Sequence, residues 1–199
     1  MMRTIIAGVI AALIAIPAAA QSTELGMMAG FTPAVSLDRH APELEGVGLD
    51  GGVTFSINGA RFLGEHWGVG VEWAQQFSAF AIETADTDTT LYDMSIAQFH
   101  GYAVYRFGGA AAKMRPFAFG GAGTTFLWAR DLESETKLSF RLGGGLAYFV
   151  SQSLAIEGRV SYKPTMMNDS DAAEFCDPFG FCQSTLQQFE FAAGVKFRF

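Results

Sequence analysis

The chain has 199 residues, half of them hydrophobic and only 17% charged, with a formal net charge of −7. That length suits one domain with a sizeable core, and the acidic balance without a basic block excludes a nucleic-acid partner, since phosphate binding needs clustered cations. Glycine (23) and phenylalanine (19) are both abundant, a combination foreign to a helical protein because glycine weakens helix interiors.

The first twenty residues, MMRTIIAGVIAALIAIPAAA, have one basic residue, Arg3, then an apolar run from Ile5 to Ile16, Pro17 and the small residues Ala18 to Ala20. That is the layout of a secretory signal peptide. The run is too short for a transmembrane helix, which takes about 20 apolar residues. Residues 1–20 are therefore expected to be removed before Gln21, leaving a domain over 21–199 outside the cytoplasm.

From Gln21 onward the apolar residues recur with a period of two. Leu25, Met27, Ala29, Phe31, Pro33, Val35 and Leu37 share one face of the first predicted strand. Val53, Phe55 and Ile57 alternate with Thr54, Ser56 and Asn58 in the second, and Trp67, Val69, Val71, Trp73 and Phe77 with Gly68, Gly70, Glu72, Ala74 and Gln76 in the third. The fourth and fifth, SIAQFHGYAVYRF and PFAFGGAGTTFLWA, are apolar on both faces; Phe99, Ala103, Tyr105, Phe107, Phe117, Phe119 and Leu127 are assigned outward. In the sixth, Phe140, Leu142, Leu146, Tyr148 and Val150 oppose Ser139, Arg141, Gly143 and Gly145. In the seventh, Leu154, Ile156, Val160 and Tyr162 oppose Glu157, Arg159, Ser161 and Lys163. The eighth ends the chain, with Phe189, Phe191, Ala193, Val195, Phe197 and Phe199 on one face.

Segments 38–50, 79–92, 130–136 and 164–185 read as long or polar connections, whereas GEH, GGAAAK and VSQS are short. Strands long enough to cross a bilayer, joined alternately by tight turns and long loops, describe an all-β, eight-stranded antiparallel up-and-down transmembrane β-barrel. A soluble barrel would turn its apolar face inward. Here the apolar face is the larger one, with rings near strand ends (Trp67, Phe77, Tyr105, Phe107, Phe117, Tyr148, Tyr162, Phe197, Phe199) resembling an interfacial aromatic girdle. The polar face carries Glu72, Arg141, Glu157, Arg159, Glu190, Lys196 and Arg198 among many glycines, which suits the narrow interior of eight strands. A buried ionic network across the seventh and eighth strands, joined by Arg141 and Glu72, is expected there.

Over residues 21–199 the chain resembles small outer-membrane β-barrels of the OmpA/OmpX type. The terminal strand carries the sharpest mark: Gly194, Phe197 and Phe199 match the assembly signal of that class, with Ala192 where a polar residue is usual. The resemblance implies recognition by the outer-membrane barrel assembly machinery, pairing of the last strand with the first, and residence among outer-membrane lipid and lipopolysaccharide of a Gram-negative cell. The peptidoglycan-binding domain that follows the barrel in OmpA is not expected here.

The expected role is a non-enzymatic envelope-integrity or adhesin-like protein with an unidentified extracellular partner. The alternatives are a narrow passage for small hydrophobic compounds and a lipid A-modifying enzyme. The enzyme needs a nucleophile, a histidine and a carboxylate within reach. Of His40, His66 and His100 only His100 falls in a strand, QFHGYA has no adjacent serine, and the His-x-Ser-Asn pattern of lipid A deacylases is missing. Acids crowd the long connections (Asp38, Glu43, Glu45, Asp50; Glu83, Asp86, Asp88, Asp93; Asp131, Glu133, Glu135; Asp169, Asp171, Glu174, Asp177) without a calcium-loop motif, so neither metal nor cofactor is assigned. In the last connection, Cys176 and Cys182 flank Pro178 and Gly180, and in an exported protein the pair is expected to form a disulfide. Phe175, Phe179 and Phe181 would form an aromatic patch on that turn.

Overall fold

The computed structural model describes residues 22–37, 44–84, 90–109, 112–129, 135–166, 175–176, 182–183 and 185–199. Its strands are β1 (Thr23–Thr32), β2 (Val35–Leu37), β3 (Leu44–Leu49), β4 (Gly52–Phe62), β5 (Trp67–Thr84), β6 (Thr90–Arg106), β7 (Met114–Ala129), β8 (Glu135–Phe149), β9 (Leu154–Met166), β10 (Phe175–Cys176), β11 (Cys182–Gln183) and β12 (Thr185–Arg198). β1, β4 to β9 and β12 form a closed eight-stranded antiparallel barrel. Closure runs from Glu24↔Arg198 to Phe31↔Phe191 in register. It is completed by mutual backbone bonds between Thr23 and Phe199, at 2.9 and 3.3 Å. The expected signal peptide lies outside the described residues.

The wall faces outward with grease. Leu25, Met27, Phe31, Val53, Phe55, Ile57, Trp67, Trp73, Phe77, Leu142, Ile156, Phe191 and Phe197 are all exposed. A water-soluble monomer rarely exposes a contiguous apolar surface beyond a few hundred Å², so this continuous belt requires lipid as its solvent. The expected outward parity of the first three and last three strands is observed.

Two expectations are corrected. Phe117, Phe119 and Leu127 point inward and are buried, at 7%, 6% and 8% exposure; Phe117 therefore leaves the aromatic girdle. The reason lies on the next strand. Phe117 pairs with Gly145 and Phe119 with Gly143, and a Cβ at either glycine would lie within 2.7 Å of the facing ring's Cζ. The glycines supply the space into which the rings fold. With Ala60, Phe62, Val104, Ala147, Phe149 and Ala155, the two rings make an apolar cluster inside the barrel, while Leu127 packs on Ile96.

The second correction concerns length. Strands β5 to β8 run on into segments that read as connections, with 18, 17, 16 and 15 residues. Much of segment 79–92 is ladder, with Ala79↔Asp93 to Ile82↔Thr90 paired, and residues 135–136 and 164–166 are also strand. Within 38–50, β3 pairs with β5 and with β2. β2, β3, β5 and β6 thus continue as a sheet above the last β4–β5 pair, Val53↔Phe77. A ladder needs only backbone donors and acceptors, so it continues where the sequence reads as loop.

Gly145→Val should force its side chain against Phe117 and the carbonyl of Gly158. We expect a loss of about 1–3 kcal/mol, as for overpacking in general. Gly158→Ala, whose Cβ meets nothing within 4 Å, should stay within about 0.5 kcal/mol of the parent. Urea unfolding in detergent measures both.

Candidate functional site

The lumen gathers the polar face of every barrel strand. At its centre Glu72 from β5 is ion-paired with Arg141 of β8 and, at 2.6 Å, with Arg159 of β9. Glu190 of β12 binds Lys163 of β9 at 2.6 Å and lies 3.6 and 3.8 Å from Arg159 and Arg141. Arg141 and Arg159 also donate, each at 3.0 Å, to Ser161 Oγ and Ser56 Oγ. All five charged side chains are at least nine-tenths buried.

Towards the short-turn end a second layer surrounds Glu24 of β1. It accepts from Arg106 of β6 at 2.6 Å and Arg198 of β12 at 3.0 Å, with Lys196 at 3.8 Å. Lys196 is also in direct ion contact with Glu157. Below them the guanidinium carbons of Arg106 and Arg198 stand 3.8 Å from the Phe62 ring and 4.2 Å from the Phe149 ring, and that of Arg115 lies 4.4 Å from Phe149. Arg141 stacks over Phe119 at 4.7 Å. The electron-rich ring faces attract these cations, a further reason for phenylalanine to face inward.

The structure therefore places Glu72, Arg141, Glu157, Arg159, Glu190, Lys196 and Arg198 in the lumen, as two layers rather than one network. Arg159 passes over its strand neighbour Glu157 and reaches Glu72. Glu24, Arg106 and Lys163 are essential members that sequence reasoning left out. Their parity would have found them, since Glu24 alternates with Leu25 and Met27, and Lys163 with Tyr162.

Nearer the long-connection end the lumen is filled by neutral polar groups. Gln188 donates to Gln76 at 3.1 Å, and Thr125 and Thr165 are 3.3 Å apart. His100 Nε2 and Ser139 Oγ lie 2.9 Å apart, so the serine missing from the sequence neighbourhood of His100 arrives from β8. β7 between them carries Gly123, opposite both residues in register. A Cβ there would crowd the His100 backbone. His100 and Ser139 are 1% and 0% exposed. His66 sits in the 63–66 turn, its Nδ1 2.9 Å from the Arg106 carbonyl; His40 lies outside the described residues.

A closed meander, grease outside and paired charge inside, is the architecture of a membrane-spanning barrel. A family model described as outer membrane protein beta-barrel domain matches residues 6–199. The chain belongs to that family. Among solved structures it is similar to OprG from Pseudomonas aeruginosa, at 12% identity and a TM-score of 0.61, covering 90% of this chain and 96% of that one. Neisserial surface protein A is similar at 11% identity and a TM-score of 0.59, covering 92% and 100%. Ail, the attachment invasion locus protein of Yersinia pestis, solved with the heparin analogue sucrose octasulfate, is similar at 17% identity and a TM-score of 0.50, covering 89% and 99%. At these identities the likeness is one of fold. No curated protein matches the chain. The protein is one of the cell outer membrane. In this family short turns face the periplasm and long loops the outside. The turns 63–66 and 150–153 lie at the same end of the barrel as Thr23 and Phe199, and the β2–β3 sheet extension lies at the opposite end.

The remaining predicted residues fall at the two ends. Gly194 packs beneath Met28, whose Cα and Cγ a Cβ would meet at 2.7 and 2.8 Å, and Phe197 and Phe199 face lipid at 42% and 75% exposure. Phe175 and Cys176 form β10, and Cys176 stands directly opposite Cys182 of β11. Phe179 and Phe181 lie outside the described residues. Opposed Cα atoms in an antiparallel pair are about 4.5 or 5.5 Å apart, within the span of a disulfide.

Glu72→Gln should strand Arg141 and Arg159. Breaking a buried pair costs about 3–5 kcal/mol, whereas Glu65→Gln in the exposed turn should stay within about 0.5 kcal/mol; equal unfolding midpoints would refute the structural weight of the central layer. Mass spectrometry without reductant should find Cys176 joined to Cys182. Its reduction should remove about 2 kcal/mol of loop constraint and leave the barrel folded.

Proposed function

We propose that this protein is a non-enzymatic surface protein: a sealed barrel that anchors an acidic, strand-built wall outside the cell for contact with lipopolysaccharide and with other surfaces. The observation that carries the reading is the filling of the lumen. The Phe62–Phe149 cluster, two layers of ion pairs and the glutamine–threonine packing succeed one another along its length. Eight strands enclose a space that side chains can fill, and this composition disfavours a passage for small compounds. The buried state of the His100–Ser139 pair likewise disfavours a lipid A-modifying enzyme.

The extracellular part supports the surface role. β5 and β6 rise beyond the β4–β5 ladder and are widened by β2 and β3. The connections at that end carry the acids named above, with Arg39, Arg130 and Lys137 as their cations. Such a surface repels a bare polyanion and meets the phosphates of lipopolysaccharide through divalent cations, which favour carboxylate oxygen. Ail was solved with a sulfated heparin analogue; the acidity of the present chain argues against transferring that ligand class without a bridging cation. Assembly through the terminal strand, with Gly194, Phe197 and Phe199 read by the barrel assembly machinery, belongs to the same reading.

Purified protein in planar bilayers is expected to give no stepped conductance, and a defined unitary step would reinstate the passage. Cells lacking residues 35–49 should keep the barrel in the outer membrane but lose magnesium-dependent binding to lipopolysaccharide or to a second surface. Unchanged binding would reject the wall as the contact element. Removing Phe199 should reduce the assembled protein severalfold, and wild-type assembly would reject the terminal signal.

A further inference from the structure

We propose that the lumen holds a single monovalent, halide-sized anion between Asn58, Arg141 and Arg159. A cavity of about 20 Å³ opens there, its polar walls being Asn58, Tyr102, Arg141, Glu157, Arg159 and Lys196. One water needs about 10–15 Å³, so the space takes one small particle and excludes phosphate or sulfate.

Three donors of the lining residues have no partner, whereas the one such acceptor of the lining, Glu157 Oε2, is held by its ion contact with Lys196. Asn58 Nδ2, Arg141 Nε and Arg159 Nε have no hydrogen-bond partner, although the three side chains are only 3%, 2% and 7% exposed. A buried donor left unmade costs about 1–3 kcal/mol, and more on a charged group. A water has two lone pairs for these three donors, whereas a spherical anion accepts from all of them.

Charge balance gives the same answer. Lys196 and Glu157 are in direct contact and cancel. Glu72 and Glu190 are shared among Arg141, Arg159 and Lys163, which leaves one positive charge unmatched among side chains that are at least nine-tenths buried. A monovalent anion neutralises it, and a divalent one would reverse it. Because Lys196 occupies Glu157, the anion's place is on the guanidinium side of the cavity.

The test compares unfolding of the purified barrel in detergent with sodium chloride against sodium gluconate at equal ionic strength, gluconate being too large to enter. Ligand-linked stability rises as the logarithm of ligand concentration above Kd. The folding equilibrium constant should therefore grow up to tenfold per decade of chloride, and not with gluconate. Asn58→Leu, which removes a donor and fills the space, should flatten that dependence. Glu157→Gln, which adds to the unmatched charge, should shift it to lower chloride. A purely structural role would move the midpoints of both variants and leave their chloride dependence alone. Crystals of the wild-type protein grown in bromide should show one anomalous peak in the cavity. Equal stability in the two salts, or density for a water only, would overturn the site.

Discussion

The backbone ladder that joins β1 to β12 is the constraint on which the rest of the molecule depends. Lipid offers no hydrogen bond to a peptide group, so a strand crossing it must be paired on both sides. A sheet in that solvent has no tolerable edge until its first and last strands meet. The meeting reaches the final residue, where Phe199 exchanges backbone bonds with Thr23. A hydrophobic terminal strand, awkward at the end of a water-soluble chain, is held here by β1 on one side and β9 on the other.

Closure creates an interior, and the interior sets its own chemistry. Eight strands leave room for side chains and little else, so every inward residue must fit beside those of its neighbours. Glycine and large side chains therefore alternate around the wall: Asn58 lies over Gly26, Tyr102 over Gly70, Phe119 over Gly143 and Phe117 over Gly145. Charges enter this space only with partners. Glu24, Glu72, Glu157 and Glu190 each contact at least one lysine or arginine. The chain is acidic as a whole, yet its described lumen is richer in cations than in carboxylates. The rest of the acid is carried, in the sequence, mostly by the long connections named above.

His100 and Ser139 come within hydrogen-bond distance across the barrel although they are far apart in sequence, and both are buried in the lumen packing. Among the described residues the exposed large apolar side chains form the lipid belt, a feature common to any chain solvated by lipid.

The sequence by itself determined the class of fold, the number of crossing strands and the face each presents wherever one face was greasy and the other polar. Lipid on one side and a charged lumen on the other enforce a strict period of two, and Glu72, Arg141, Glu157, Arg159 and Glu190 were legible for that reason. The tertiary structure alone decided three things. It turned Phe117, Phe119 and Leu127 inward, because β7 is apolar on both faces and only the glycines of β8 reveal where rings fit. It extended the ladder into segments that read as connections, because backbone pairing does not require an apolar face. And it chose the ion partners, giving Glu72 to Arg141 and Arg159 and gathering Arg106, Lys196 and Arg198 around Glu24. Pairing in a closed lumen follows distance across the barrel, and that distance is set by closure rather than by position along the chain.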